Sequence, residues 1–408
     1  MKVLWLSHLV PFPAKAGVSL RSYHLIKQLS QRCELDLLAF NQRDLMAGFY
    51  DDIEQGLAEA RADMGQFCNI LDIISLPCDT MPHGNKLLAL QSLVTKAPYN
   101  INWLKSRRFR AALKKALAEN SYDVVHLDTI SFTAHMDLLQ GQCLSMDHHN
   151  IESHMLLRRA DKESHKFKSW YFRQEGKRLQ RYEQEYCPQM AMNITCSAED
   201  SQRLKAIVPS AITEEIPNGV DIEFFKSSRV GEGDPKKLIF IGTLSWYPNA
   251  EAVEYIAEHW ADLKQLQPEL TVDIIGAHPP ESIVEFSKKD PSFKVHGFVD
   301  DIRPFIDAAG IYLCPIMDGG GTKLKLLDAF AMSKAVLAHP IGCEGLAVTD
   351  EVNVLMADSD GSFISGIQRL IADSELRHSL ELGARKLAED HYGYDAIGEK
   401  LANTYQGL

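Results

Sequence analysis

The stretch MDGGGTKLKLLDAFAMSKAV, residues 317–336, joins a glycine run to two lysines and an apolar pattern with helical spacing. Leu324, Leu327 and Ala331 recur at intervals of three and four residues, which predicts a helix over about 322–333 with Thr322 as its N-cap. An apolar run follows from Ala335. Loop, helix and buried strand in this order are the repeating unit of an α/β fold.

The start of this predicted helix has the composition of an anion site. Gly319, Gly320 and Gly321 let the backbone turn its N–H groups toward one point. A helix N-terminus adds unpaired donors and partial positive charge, and Lys323 and Lys325 add two full charges. Phosphate is the anion that such a site most often binds.

Asp328 lies about six residues past the predicted cap, which is roughly 9 Å along a helix axis. That distance suits a carboxylate that accepts hydrogen bonds from sugar hydroxyls beside a bound diphosphate. The other interpretation, a glycine loop before a solvated helix start, remains open from this stretch alone. The GxxxxGK[ST] loop of P-loop nucleotide-binding proteins is absent.

Working outward, apolar runs alternate with helical segments along the whole chain, which predicts βαβ units and parallel sheets. Twelve strands are predicted, and they begin at Lys2, Glu34, Ile70, Asp123, Cys143, Met192, Lys237, Leu270, Phe293, Gly310, Ala335 and Asn353. Twelve are many for one sheet but ordinary for two. The segment IPNGVD, residues 216–221, punctuates the chain near its middle. We therefore predict a first α/β domain over 1–210 and a second over 211–390.

The composition is that of a soluble globular protein, with 408 residues, 45% hydrophobic and 24% charged. The net charge of −12 argues against a nucleic-acid partner. Eight cysteines without CxxC pairs indicate reduced thiols, and the N-terminal apolar run is too short for a secretion signal. No run of about twenty apolar residues occurs, so a cytoplasmic protein is expected.

In open α/β sheets, ligands bind beyond the carboxyl ends of the strands. This rule selects the loops that contain Gly17 and Arg21, Asn150, Gly242 and Gly297, in addition to the glycine run. We predict that two domains with facing strand ends form one cleft. Gly17 alone is explained equally well by a structural turn, and Arg21 could instead lie on a solvated helix face.

These loops carry a resemblance to family 4 glycosyltransferases, which have the GT-B fold of two facing Rossmann-like domains. In the second half the resembling segments follow the family's order: 216–221, 240–253, 272–277, 295–305 and 315–346. In the first half they are PFPAKAGVSLRSYHLIKQL (11–29), DVVHLD (123–128) and DHHNIES (147–153). The segment HYGYDAIGEKL (391–401) is similar to the family's closing helix, which implies that residues 391–408 pack back toward the first domain.

The resemblance implies transfer of a sugar from a nucleotide-sugar donor with retention of configuration and without a required metal or other cofactor. The family's paired-glutamate motif falls here on Gly320 and Asp328, so the ribose contact passes to Asp328 and the sugar-binding carboxylate is missing. The family's Arg and Lys after the second domain's first strand are replaced by Thr243, Leu244 and Asn249. That departure shifts the binding of the diphosphate to Lys323 and Lys325.

The same resemblance assigns further donor contacts to backbone groups near Gly242 and at Gly297, Phe298 and Val299, the last three beside the base. Asn249, at the start of a predicted helix, is expected to add to the diphosphate site. Glu344, after a strand, either meets the nucleotide or is a plain loop acid.

In DHHNIES, His149 matches the family histidine that contacts the donor sugar, and we predict that His149 and Lys323 are catalytic. Asp128, His148 and Asn150 join Arg21 as acceptor-side candidates, and Asp147 is expected to orient one imidazole. A core or capping histidine is the alternative that residue type alone favours. A metal site is not expected, because no carboxylate or third histidine stands at ligand spacing in the sequence.

Residues 154–186 are basic within an acidic chain, with nine lysines and arginines against five acidic residues and with Trp170, Tyr171 and Phe172 among them. Peripheral contact with an anionic membrane on its inner face, binding of an anionic or lipid-diphosphate acceptor, and a solvated helix of mixed charge all remain open.

The resemblance therefore implies a cytosolic retaining glycosyltransferase that acts on a glycan or lipid-linked acceptor in cell-envelope polysaccharide or glycoconjugate synthesis. Two alternatives remain: another GT-B enzyme of nucleotide sugars, such as an epimerase, and a degenerate subunit that binds sugar nucleotides without catalysis. A dehydrogenase is disfavoured because GxGxxG is absent after the first strand.

Overall fold

The computed structural model describes residues 1–14, 17–318 and 322–408, and the chain forms two compact units. Unit 1 comprises Met1–Pro217 together with Ile397–Leu408, and unit 2 comprises Asn218–Ala396. The predicted anion-binding glycines Gly319, Gly320 and Gly321 lie outside the described residues.

Unit 1 is built on a seven-stranded, wholly parallel sheet. Its strands are β1 (Lys2–Ser7), β2 (Glu34–Asn41), β3 (Asn69–Ser75), β4 (Val124–Leu127), β5 (Leu144–His148), β6 (Met192–Thr195) and β7 (Thr213–Glu215). Their order across the sheet is β3-β2-β1-β4-β5-β6-β7, so the winding direction reverses between β1 and β4. Loops diverge at such a reversal and leave a crevice in which ligands bind.

Helices cover this sheet, and those that precede unit 2 are α1 (Gly17–Leu29), α2 (Arg43–Ala47), α3 (Ile53–Met64), α4 (Gly84–Val94), α5 (Tyr99–Trp103), α6 (Arg107–Glu119), α7 (Glu152–Lys162), α8 (Lys166–Tyr186) and α9 (Ala198–Ile207). Short 3₁₀ turns span Pro77–Thr80, Ile130–Leu138 and Cys187–Gln189.

Unit 2 repeats the plan with a six-stranded parallel sheet. Its strands are β8 (Asp234–Ile241), β9 (Thr271–Ile275), β10 (Phe293–Gly297), β11 (Ala309–Cys314), β12 (Ala335–Ala338) and β13 (Leu355–Met356). The order β10-β9-β8-β11-β12-β13 places a second reversal between β8 and β11.

The helices of unit 2 are α10 (Tyr247–Glu258), α11 (Trp260–Leu266), α12 (Glu281–Lys289), α13 (Arg303–Ala308), α14 (Leu324–Ala331), α15 (Asp360–Ala372) and α16 (Ser374–Leu387). A 3₁₀ turn spans Pro340–Cys343 and a π-helical turn spans Ala388–Tyr392. The last helix is α17 (Tyr394–Gln406), whose residues from Ile397 onward belong to unit 1.

Strand β1 shows why the strands are apolar throughout. Val3 and Trp5 pack on one face with Leu25 of α1 and with residues of α17. Leu4 and Leu6 alternate to the other face, where they meet residues of α6. Because both faces of a parallel sheet are covered, its strands have no polar face. The predicted α/β class with two parallel sheets is confirmed.

The helix predicted over 322–333 is shorter at both ends. Helix α14 begins at Leu324, and no capping side chain precedes it, so the prediction that Thr322 is the N-cap is wrong. At the other end, Ser333 adopts a left-handed conformation with φ of 53°, which ends the helix. Lys334 then turns inward, and its Nζ donates to the carbonyls of Asp307 and Ala309, at 3.1 Å each.

Within the described ranges, no helix combines the length and the apolar composition that crossing a bilayer requires.

Candidate functional site

At the winding reversal of unit 1, Asp128 collects four hydrogen bonds. It directly follows β4, and its carboxylate is fully buried. Oδ2 accepts from Ser7 Oγ and His8 Nδ1, both at 2.9 Å. Oδ1 accepts from Ser22 Oγ at 3.1 Å and from His149 Nε2 at 2.9 Å. Since the four donors come from β1, α1 and the loops after β1 and β5, Asp128 fixes two imidazoles at the carboxyl edge of the sheet.

Asp128 and His149 stabilise each other's charged forms. Burial alone raises the pKa of Asp128, but the neighbouring His8 and His149 outweigh it and hold that pKa well below the usual range. Burial alone would lower the pKa of His149. The nearby carboxylates of Asp128 and Asp147 outweigh burial, so the pKa of His149 is raised. About 12% of the His8 side chain and 11% of the His149 side chain remain exposed. A ligand can therefore reach the imidazoles but not the carboxylate that orients them.

His8 is a candidate site residue that the sequence did not reveal. The first apolar run, KVLWLSHL, predicts a strand from Lys2 to Leu9, whereas β1 ends at Ser7. His8 is thus the first residue past a strand end, and the strand-end rule would have selected it with the correct boundary.

The cluster also corrects the argument from sequence spacing that no set of metal-ligand residues exists. His8, Asp128 and His149 offer ligand atoms within 4.8 Å of one another, as do His126, Asp128 and Asp147. Ligand-type residues that are far apart in sequence therefore do meet in space. In the first group, the same atoms form the hydrogen bonds to Asp128, so the observed contacts are satisfied without an ion.

Arg21 and Asp147 form a buried ion pair beneath this edge. Arg21 Nε and Nη2 donate to the two oxygens of Asp147, at 3.0 and 3.2 Å, and Nη1 donates to the carbonyl of Pro217 at 2.9 Å. Arg21 is 1% exposed, so the interpretation as a solvated helix residue is wrong, and burial also denies it direct contact with an acceptor. The carboxylate that directly bonds His149 is Asp128.

The two other acceptor-side candidates, His148 and Asn150, differ in their burial. His148 is buried, and its Nε2 lies 3.1 Å from Asn193 Oδ1, so the prediction that it faces an acceptor is corrected to a core position. Asn150 is partly exposed in the loop between β5 and α7, where it stays a candidate.

In unit 2, the side chain of Lys325 reaches the end of β8. Its Nζ donates to Asn249 Oδ1 at 2.5 Å and lies 4.6 Å from the centre of the Phe240 ring. Asn249 stands in the first turn of α10, and its amide also donates to the carbonyl of Thr243 at 2.8 Å. A Cβ on Gly242 would lie only 2.5 Å from Lys325 Nζ. The missing side chain of Gly242 is therefore what admits the ammonium group.

Burial shifts both ionisable groups of α14 toward neutrality. The pKa of Lys325 falls to about 8, because burial outweighs the opposing effect of Cys314. The pKa of Asp328 rises to about 7 through burial alone. Asp328 is partly exposed, and no hydrogen-bond or ion-pair partner for its carboxylate is found within the described parts of the chain. A carboxylate without a partner at a ligand edge is available to a ligand's hydroxyl groups.

The remaining donor-side residues are placed as follows. Thr322 and Lys323 are partly exposed just before α14, and Gly17 is the first residue of α1. Gly297 ends β10 with φ of +68°, Phe298 is 72% exposed, and Val299 packs against the core of unit 2.

Glu344 was left between two interpretations. Its Oε2 is buried with no hydrogen-bond partner in the described parts of the chain. A plain loop acid would be solvated, so the buried oxygen of Glu344 does not fit that interpretation.

Comparison with known families assigns both halves of the chain. Residues 16–224 match the model described as Glycosyltransferase Family 4, which covers about half of the chain. The chain belongs to glycosyltransferase family 4. Residues 235–373 of this family 4 protein match the model described as Glycosyl transferases group 1.

One curated relative is an uncharacterized glycosyltransferase of Methanocaldococcus jannaschii, 25% identical over 185 residues. The match covers 41% of this chain and 46% of that relative, so it spans about half of each protein.

Solved structures agree on the fold over the full length. The sucrose-phosphate synthase of Thermosynechococcus elongatus has a TM-score of 0.71 at 16% identity, with 100% of this chain and 99% of that chain covered. Anabaena HepE, solved in complex with UDP, has a TM-score of 0.68 at 15% identity, with both chains fully covered. HepE has also been solved in complex with UDP-glucose, at a TM-score of 0.63 and 15% identity over all of both chains. The family 4 protein therefore has the two parallel-sheet domains of GT-B glycosyltransferases.

Proposed function

We propose that this protein transfers a sugar from a nucleoside-diphosphate sugar to a glycan or lipid-linked acceptor, with retention of configuration, in the synthesis of a cell-envelope polysaccharide or glycoconjugate. The observation that carries the proposal is the pair of groups on α14. Lys325 reaches the end of β8, and the carboxylate of Asp328 has no partner among the described residues, so one helix offers a cation for phosphate and an acceptor for hydroxyls.

Lys325 compensates for the Arg and Lys that the family places after this strand. Its ammonium group stands against Gly242 and Asn249, at the end of the same strand. Lys323 adds a second cation at the start of α14. As the sugar–phosphate bond breaks, charge grows on the leaving diphosphate, and donors that are already in place stabilise it most effectively.

Unit 1 supplies His149 in an orientation fixed by Asp128. With Nε2 bonded to the carboxylate, Nδ1 is the nitrogen left for a sugar hydroxyl or for developing charge on the donor. The ligands bound in the HepE structures, UDP and UDP-glucose, support uridine nucleotides as the first donors to test.

A screen of nucleoside diphosphates by thermal unfolding tests the donor site, because a ligand that binds only the folded protein raises Tm with its concentration. Transfer is then followed with the best nucleotide sugar, and the anomeric configuration of the product is read by NMR. Donor binding without transfer or hydrolysis would instead support a degenerate binding subunit.

Replacement of Lys323 by alanine tests the catalytic assignment. We expect kcat to fall by about a hundredfold or more, as is typical when one donor to a developing anion is removed. The free energy of unfolding should change little, because Lys323 precedes α14 and is partly exposed.

The exposed Lys288 near the end of α12 serves as the matched control, and Lys288→Ala should keep full turnover. Unchanged kcat in a folded Lys323→Ala protein would remove this residue from the mechanism.

A further inference from the structure

Helix α8 presents one continuous basic face to solvent. Lys166, Trp170, Arg173, Lys177 and Arg181 are all exposed and follow one another at intervals of four, three, four and four residues. This spacing places them in one row, about 22 Å long, which we term the basic stripe.

The acidic residues of α8 do not neutralise this row evenly. Glu175 and Glu183 face the interior, where they bond the backbone N–H groups of Tyr99 and Ser153. Glu185 is exposed and follows Arg181 by four residues, so it lies at the C-terminal end of the same row. Asp161 of α7 does pair with Arg173, at 2.7 Å, and it is itself exposed. The stripe thus keeps a positive surface on a chain whose net charge is −12.

Exposed aromatic rings accompany the cations at the start of α8. Phe167 is 61% exposed and Trp170 is 48% exposed, and their ring centroids lie 5.6 Å apart. Two large rings kept together in water are costly in a soluble helix, whereas the boundary of a lipid bilayer stabilises them.

The neighbouring helix α4 adds an exposed apolar row. Leu87, Leu90 and Val94 are 55%, 69% and 87% exposed at helical spacing, and we term them the apolar stripe. Arg178 of α8 holds the end of α4, since its guanidinium donates to the carbonyls of Ser92 and Ala97 at 2.7 and 2.8 Å. The two stripes therefore belong to one bonded pair of elements.

We propose that the basic stripe and the apolar stripe of unit 1 dock on an anionic lipid bilayer. The cations contact negatively charged headgroups, while Phe167, Trp170 and the apolar stripe enter the boundary of the acyl region. Charge complementarity selects this partner, because a hydrophobic face alone would fit any apolar surface, and the row of cations requires an anionic one. The inference is independent of sugar transfer and stands or falls separately.

Flotation of the full-length protein with vesicles tests the docking. We expect binding to phosphatidylcholine vesicles that contain phosphatidylglycerol, and little binding to phosphatidylcholine alone. The triple variant Lys166→Gln, Arg173→Gln, Lys177→Gln should lose about tenfold or more in vesicle affinity. Leu90→Ser with Val94→Ser should weaken the binding that survives in 1 M salt, where the Debye length is only about 3 Å.

A matched control removes three exposed lysines of unit 2, in the variant Lys288→Gln, Lys289→Gln, Lys294→Gln. It changes the net charge equally and should bind vesicles like the unaltered protein. Circular dichroism and Tm show that each variant is folded. Absence of flotation with anionic vesicles at low salt, or equal losses in both triple variants, would overturn the proposal.

Discussion

Asp128 is the residue on which the unit 1 site depends, because two hydroxyls and two imidazoles share its two oxygens. Replacing the carboxylate by an amide leaves the shape nearly unchanged, but it removes the charge and leaves one accepting oxygen for the four donors, which weakens the orientation of His149. We therefore expect Asp128→Asn to lower kcat by about tenfold to a thousandfold while the protein stays folded.

The same variant should lower the pKa of His149, because Asp128 is the largest of the groups that raise it. Titration of the imidazole followed by NMR measures this directly. Asp137→Asn is the control, since Asp137 pairs with Arg110 on the surface of unit 1, and it should leave both values unchanged. An unaltered His149 titration in Asp128→Asn would refute the orienting role.

The pH dependence of kcat/KM for the donor should be bell-shaped, with limbs near pH 7 and pH 8. Asp328, with a pKa of about 7, must lose its proton to accept hydrogen bonds from hydroxyl groups. Lys325, with a pKa of about 8, must keep its proton to attract the diphosphate. Steady-state kinetics across pH 5.5–9.5 checks this, because kcat/KM reports the groups of the free enzyme.

Asp328→Asn should remove the acidic limb and lower kcat/KM. The variant should also lack the decrease in folding stability that the carboxyl group of Asp328 causes as pH rises. The folded pKa of Asp328 lies above its unfolded value of about 3.9, so its contribution to stability is present at low pH and is lost as pH rises from about 4 to about 7. Denaturant unfolding at pH 5 and pH 8 should show a smaller difference for the variant than for the unaltered protein.

At the scale of elements, the donor site depends on how closely α14 and α10 approach the end of β8. A methyl group on Gly242 would meet Lys325 Nζ at 2.5 Å and Asn249 Cγ at 2.8 Å. Gly242→Ala should therefore displace the ammonium group and weaken nucleoside-diphosphate binding by about tenfold, measured by calorimetry.

Gly361→Ala is the control, because nothing lies within 4 Å of a Cβ at this position in the first turn of α15. It should keep donor affinity and stabilise the protein by about 0.5–1 kcal/mol, as alanine does in a helix. Equal donor affinity in both variants would show that the approach at Gly242 is irrelevant to binding.

Elements with uninterrupted apolar runs were predictable, and those fixed by distant contacts were not. All twelve predicted strands form, because burial on both faces leaves an unmistakable pattern, whereas the three-residue edge strand β7 lacks it. Lys325 and Asp328 were predicted as donor-site residues from their positions along the predicted helix. The partner of Lys325, Asn249, lies 76 residues away, so its contact follows from topology rather than from local pattern.

At the scale of the whole chain, α17 supplies part of the core of unit 1. Ile397, Leu401 and Tyr405 pack with Trp5, and Tyr405 Oη lies 2.5 Å from His126 Nδ1. Burial lowers the pKa of His126 to about 4, so the imidazole is neutral at pH 7 and this nitrogen needs its one partner.

Tyr405→Phe should therefore lower the free energy of unfolding by about 1–3 kcal/mol, the cost of a buried polar group without a partner. Urea denaturation measures it. Tyr50→Phe removes an exposed hydroxyl bond to Glu59 and should cost no more than about 0.5 kcal/mol. A Tyr405→Phe protein as stable as the Tyr50→Phe protein would mean that α17 contributes by apolar packing alone.

The division of unit 1 between residues 1–217 and 397–408 sets an order of events during synthesis. A ribosome releases the seven strands of the first sheet early, yet the residues of α17 that help to cover Trp5 emerge only after all of unit 2 has been made. Until then the nascent chain carries an uncovered apolar surface beside a growing second domain. Chaperone demand should consequently peak late in translation, and moving α17 to the N-terminus by circular permutation should relieve it.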